Sequence, residues 1–171
     1  MNIAVLVIRL DSGGVEKVTE RLISGFLEEG HSVDLLTTTK LTDIPPGLPS
    51  GANIVNIAGK VRLPGIPGLV SPRVWLGLTS LRPLANYLRR TPPDVLLATQ
   101  SGLTAVAGRI LARSKTGVVL RVAISQRASI EKDPYRIAKL LPFTRKFTFK
   151  RANHVITNSI DVADEIENSA G

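Results

Sequence analysis

The chain has 171 residues, 43% of them hydrophobic and 21% charged, which suits one folded domain and excludes a disordered segment. It has no cysteine, so disulfides, thiolate metal sites and a cysteine nucleophile are excluded, and a reducing compartment fits. The net charge of +8 is unevenly spread: eleven Lys/Arg face one acid, Asp94, between Ile44 and Ile130, and six face none between Pro134 and Ile160.

The acids collect in Asp11–Asp43 and Asp161–Glu167. A strongly cationic stretch of surface is therefore expected, facing membrane lipid, a phosphorylated small molecule or nucleic acid. No recognisable nucleic-acid module accompanies the charge, so nucleic acid is not the expected partner. No apolar run approaches the ~20 residues of a spanning helix. The opening "MNIAVLVIRLDSGG" lacks a basic leader and reads as a strand and turn rather than a signal peptide.

In chain order, "NIAVLVI" (Asn2–Ile8) is an apolar run typical of a strand covered on both faces. A helix follows from about Val15 to Glu29, with Val15, Val18, Leu22, Ile23, Phe26 and Leu27 on one face. Glu16 suits its N-terminus and Gly30 a left-handed cap. "HSVDLLTTT" is the second strand, parallel to the first. A Pro/Gly-rich stretch holds a short strand near Asn53–Ile57. A helix is predicted over Arg73–Arg90, kinked or broken at Pro83. "TPPDVLLAT" is strand four. "SGLTAVAGRILARS" is a helix whose periodicity puts Leu103, Val106, Ala107, Ile110 and Leu111 on its apolar face. "TGVVLRVAI" is strand five. "DPYRIAKLLPFTRKFTFKR" is a basic helical stretch interrupted at Pro142, "NHVITNS" is strand six and "IDVADEIENSA" a closing helix. Alternation of this kind predicts an α/β, Rossmann-like, doubly wound and mainly parallel sheet of about six to seven strands.

Ligands of such sheets bind beyond the carboxyl ends of the strands. "RLDSGG" lies beyond the first strand and opens the first helix, where unpaired N–H groups and a positive dipole end meet. Gly13 and Gly14 would let a phosphate or sugar approach the backbone; equally, they could form a tight turn capped by Ser12 or Gly13. Neither a dinucleotide fingerprint nor a phosphate loop is present. Thr99, Gln100 and Ser101 follow strand four, where they could line the crevice, with Ser101 also an obvious helix cap. No His/Asp/Glu group has metal-ligand spacing, so no metal is expected.

"GGVEKVTERLISGFLEEGHSVDLLT" resembles the first helix of the family-4 glycosyltransferases of the GT-B fold, whose pattern is Gly-Gly-x-Glu, an amphipathic helix and Gly-His-x-Val. Gly13, Gly14, Glu16, Gly30, His31 and Val33 match it. "PPDVLLATQS" and "RANHVITNSIDVADEI" resemble two later segments of that family, in the right order, so the resemblance spans nearly the whole chain. His31 and His154 fall at family positions that look structural, and Asp94 reads as a strand-entry residue.

The resemblance implies the N-terminal, acceptor-side half of a GT-B enzyme. It implies a sugar-nucleotide-dependent, retaining hexosyl- or acetylhexosaminyl-transferase of cell-envelope, polysaccharide or lipid-linked glycan synthesis. The donor would be a UDP- or GDP-sugar, with no cofactor held by the domain itself. Gly13, Gly14, Ser101, Arg121, Ser125 and Arg127 are the implied donor- or substrate-binding residues. The family's histidine after strand five is absent from "VVLRVAISQRAS", so no catalytic residue is assigned. The family's second domain carries a Glu-x7-Glu motif. Glu20 and Glu28 share that spacing but belong to a solvated helix face. The expectation is one Rossmann-like domain over 1–171, without the C-terminal nucleotide-sugar-binding domain and inactive by itself. Half of another GT-B-type enzyme, such as a sugar-nucleotide epimerase, and a non-catalytic membrane- or partner-binding module are the alternatives. Basic residues interleaved with aromatics suit an anionic membrane surface, with Arg73, Trp75, Arg145 and Lys146 as candidates, on a cytoplasmic, peripheral protein.

Overall fold

A computed structural model describes residues 1–8, 10, 14–39, 46–59, 72–123 and 141–170. Its six strands are β1 (Asn2–Val7), β2 (Ser32–Thr37), β3 (Asn53–Asn56), β4 (Val95–Ala98), β5 (Gly117–Val122) and β6 (His154–Thr157). All neighbours pair in parallel, in the order β3-β2-β1-β4-β5-β6. The helices are α1 (Gly14–Glu28), α2 (Pro72–Thr79), α3 (Leu81–Arg90), α4 (Gly102–Ala112), α5 (Leu141–Arg151) and α6 (Ile160–Ala170). This is the doubly wound order, and it reverses direction between β1 and β4.

Alternate residues of the strands feed two cores. Ala4, Leu6, Leu36, Leu96 and Leu120 pack with Leu84 and Leu88 of α3 and Ala105 and Val106 of α4. Val5, Val7, Val33 and Leu35 pack on the other face with Ile23 of α1. Each fully buried Leu, Ile or Val contributes about 1.5–3 kcal/mol. The continuous apolar run of β1 follows from cover on both faces.

Three details show how the sequence sets the elements. At the end of α1, Gly30 has φ +77°, its N–H donates to the Leu27 carbonyl and the His31 N–H to the Phe26 carbonyl. That is a Schellman cap, which needs the left-handed residue that glycine supplies. The predicted helix over Arg73–Arg90 is divided, but at Ser80 rather than at Pro83. Pro83 sits in the first turn of α3, and its ring cannot share space with the carbonyl four residues back, that of Thr79. The helix therefore ends at Thr79, and Gly59 lies against the same carbonyl so closely that a Cβ would collide with it. Pro142 likewise occupies the first turn of α5, where proline is tolerated, and the stretch predicted before Leu141 lies outside the described residues.

The apolar face predicted for α4 is corrected. Thr104, Ala105, Val106, Gly108 and Ala112 face inward, while Leu103, Ile110 and Leu111 are 38%, 42% and 47% exposed. Small residues face inward because α3 approaches closely: a Cβ on Gly108 would lie 2.6 Å from Leu84 Cδ2. Periodicity ranks positions by apolarity, whereas this interface selects by size.

Candidate crevice at the carboxyl ends of the central strands

Beyond β1 and β4 the chain turns to opposite faces of the sheet, into α1 and α4 respectively. The ends of both strands are tied together. The Ile8 N–H donates to Gln100 Oε1 at 2.8 Å, and the Ile8 carbonyl accepts from Thr38 Oγ1 at 2.8 Å. Thr99 donates to the Leu6 carbonyl through both its N–H, at 3.1 Å, and its Oγ1, at 3.2 Å. The floor of the crevice is thus a rigid lattice from the last residues of β1, β2 and β4. Gln100 is a candidate from the sequence, whereas Thr38 and Thr39 read there as the end of the second strand, and their hydroxyls are the available signal.

Gly14 is the first residue of α1 and is exposed. Its φ is not positive, and no described atom lies within 4 Å of where a Cβ would sit. A left-handed turn at Gly14 is therefore not the reason for glycine there. Glu16 follows in the first turn, where a helix dipole favours an acid. Gly13 lies outside the described residues.

Ser101 takes the N-cap position of α4, but its side chain makes no cap bond and donates to Thr104 Oγ1 instead. Gly77 of α2 abuts that hydroxyl pair, 2.6 Å from Thr104 Oγ1 for an added Cβ. Gly14 and Ser101 thus stand at the heads of the two central strands, on either side of the switch point. Arg121, near the end of β5, is one strand further out, and its Nη2 donates to Asn158 Oδ1 at 3.1 Å beyond β6. Ser125 and Arg127 lie outside the described residues.

The segments that carried the family resemblance are mostly fold staples. Asp94 Oδ2 accepts from the Asn2 N–H at 2.8 Å, and its carbonyl accepts from the Gly117 N–H at 3.0 Å, joining three strand entries. Asn153 Oδ1 accepts from the Val118 N–H and from Arg109, both at 2.9 Å, pinning β5 and α4 to the start of β6. His31 completes the α1 cap, and His154 opens β6 exposed. Of the membrane candidates, Trp75 is half-buried in α2 and the side chain of Arg73 is not described. Arg145 is half-buried, and burial lowers its pKa against the opposing pull of Glu165. Lys146 is exposed.

Around the switch point the described polar groups are the start of α1 and hydroxyls engaged within the fold, with the Arg121 guanidinium one strand away. Such a set binds polar groups. Among the described residues no three His, Asp or Glu side chains come together as metal ligands.

The fold and the crevice define a Rossmann-like domain of the kind that forms one half of a GT-B enzyme. The model of Glycosyltransferase Family 4 matches residues 12–171, and the chain belongs to that family. No curated protein sequence matches it at a significant level. Among solved structures, it resembles the lipopolysaccharide outer core galactosyltransferase WaaB in its apo form, at 14% identity and TM-score 0.69, covering 100% of this chain and 43% of that one. It also resembles sucrose-phosphate synthase from Thermosynechococcus elongatus, at 15% identity and TM-score 0.66, covering 98% and 44%. A third likeness is UDP-GlcNAc 2-epimerase from Methanocaldococcus jannaschii, at 15% identity and TM-score 0.63, covering 98% and 42%. The chain spans less than half the length of each of these structures.

Proposed function

We propose that this chain is the acceptor-side half of a retaining, sugar-nucleotide-dependent glycosyltransferase. Its acceptor is a lipid-linked or cell-envelope glycan at the cytoplasmic face of a membrane. The observation that carries the transferase reading is the family match over 12–171 on a doubly wound sheet whose order reverses between β1 and β4. In this reading a UDP- or GDP-sugar is held mainly by a second domain across the crevice. The α1 N-terminus, reached past Gly14, then faces the donor's diphosphate or sugar. Ser101 and Arg121 contribute polar contacts, joined by Gly13, Ser125 and Arg127. The domain's chemical contribution is electrostatic: fixed N–H dipoles and a guanidinium support the charge that grows on the leaving diphosphate. No metal is assigned a part.

The lipopolysaccharide role of WaaB, one of the resembling structures, supports the envelope acceptor. The cations of α3 and α5, with no acid on either helix, support the membrane. The likeness to an epimerase keeps a second reading open, that of half a sugar-nucleotide epimerase. Full-length protein incubated with a panel of sugar nucleotides and a membrane-lipid extract separates the two. Transfer of label from UDP- or GDP-sugar to lipid supports the transferase. Isomerisation of the free sugar nucleotide without transfer refutes it.

A further inference from the structure

We infer that the outward face of α4, flanked by the basic sides of α3 and α5, is the surface by which this protein docks on an anionic lipid bilayer. The inference rests on the membrane-borne acceptor proposed above and names the face that meets the membrane.

The outer side of a helix on a domain surface is ordinarily polar. On α4 it is Leu103, Ala107, Ile110 and Leu111, and the three large residues are 38–47% exposed. The helix has one charge, Arg109, and that is committed sideways to Asn153 Oδ1 and the Arg151 carbonyl at 2.9 and 2.8 Å. Phe147 of neighbouring α5 adds a ring that is 39% exposed, with the Arg151 guanidinium 5.1 Å above it. Exposed apolar side chains thus stand on both of these packed helices.

Its flanks are cationic. Arg89 and Arg90 end α3, Arg113 follows α4, and Lys150 and Arg151 end α5, all of them exposed. The sequences of α2, α3, α4 and α5 contain no acid at all. An open depression of about 570 Å³ at the end of α4 is lined by Arg89, Ile110, Leu111, Ala112 and Arg113, with Arg89 Nη2 donating to the Leu111 carbonyl at 2.7 Å. Charge on this face repels the same face of a second copy of the chain. Nucleic acid would use the cations but has no use for three exposed aliphatic side chains. A bilayer with anionic headgroups uses both.

Arg113 supplies an independent sign. It caps α4 in the left-handed region, φ 53°, as the only non-glycine with positive φ among the described residues. Its N–H and that of Ser114 close the cap on the Ile110 and Arg109 carbonyls at 3.0 and 3.1 Å. Glycine fills this position without strain. A left-handed arginine where glycine fits without strain points to a use for its side chain, and here that side chain lies at the end of α4, beside Ile110 and Leu111.

The test is co-sedimentation of the full chain with vesicles of phosphatidylcholine alone or with phosphatidylglycerol. Parent protein should partition onto the anionic vesicles and hardly onto the neutral ones. L103S/I110S/L111S should lower the partition constant more than tenfold. R90E/K150E should lower it similarly, each cation being worth roughly fivefold. The α1 pair K17E/R21E, on the opposite layer, should bind like the parent. Melting temperatures near the parent's show that these exposed changes leave the fold intact. Equal binding to both vesicle types, or undiminished binding of the aliphatic triple variant, overturns the inference. So does capture by an oligonucleotide that the aliphatic triple variant retains and the charge pair loses. Sugar transfer is not read here, so vesicle binding through α4 by a protein inert towards sugar nucleotides would uphold the docking and refute the transferase.

Discussion

Gly14 begins α1 with no positive φ and, among the described residues, no neighbour for its missing side chain. Gly14→Val should therefore fold with a melting temperature within a few degrees of the parent's. In the full-length enzyme it should lose at least tenfold in turnover of sugar nucleotide, because the added methyls fill the approach to the helix N-terminus. Normal turnover in the folded variant would leave the glycine without a ligand to accommodate. Tyr87 makes a second residue-scale case. Its hydroxyl donates to Asp34 Oδ2, while Asn53 Nδ2 donates to Asp34 Oδ1 at 2.9 Å, tying α3 to β2 and β3. Burial, with the Asp34 hydrogen bond and charge behind it, raises the phenol's pKa well above 10. The unfolded chain then ionises Tyr87 first. Stability should hold at and below neutral pH and fall as pH rises past about 10. Tyr87→Phe should cost about 1 kcal/mol at pH 7 and flatten that alkaline fall in urea titrations.

At the scale of elements, the contacts between helices and loops depend on a few small residues. Gly108→Ala drives a methyl against Leu84, which is fully buried and has nowhere to go. A loss of about 1–3 kcal/mol is expected from denaturant unfolding. Gly59→Ala meets the Thr79 carbonyl, a backbone atom, and should cost at least as much. Arg113→Gly should act oppositely, relieving the left-handed arginine and raising stability by about 0.5–1 kcal/mol while weakening vesicle binding. A variant that is no more stable would show that the cap carries no strain. These contacts were only partly legible in the sequence. Gly30 announced its cap through position and type. The division of the predicted second helix was announced by Pro83, but the break falls three residues earlier, because the clash is with a carbonyl one turn back. The inward face of α4 was misread because apolar residues occur all around that helix.

Across the whole molecule, charge is sorted by helix and not by layer, since the acidic α6 packs beside α5. Acidic residues gather on α1 and α6, while α2 to α5 carry only cations. Cationic docking of this kind is screened by salt, so raising ionic strength from about 0.05 to about 0.5 M should release the protein from anionic vesicles. Retention in high salt would mean that the aliphatic strip, not the charge, dominates binding.

Read along the chain alone, the strand–helix alternation, the parallel doubly wound sheet, the family resemblance and a glycine at the opening of α1 are all legible. Those follow from local periodicity and from short motifs, which a linear reading records. The folded chain alone settles which side of α4 faces solvent, that Asn153 pins β5 and α4 to β6, and that Gln100 and Thr38 hold the ends of the central strands at Ile8. These depend on residues tens of positions apart, and packing distance between helices, not pattern along one of them, sets which side chain fits.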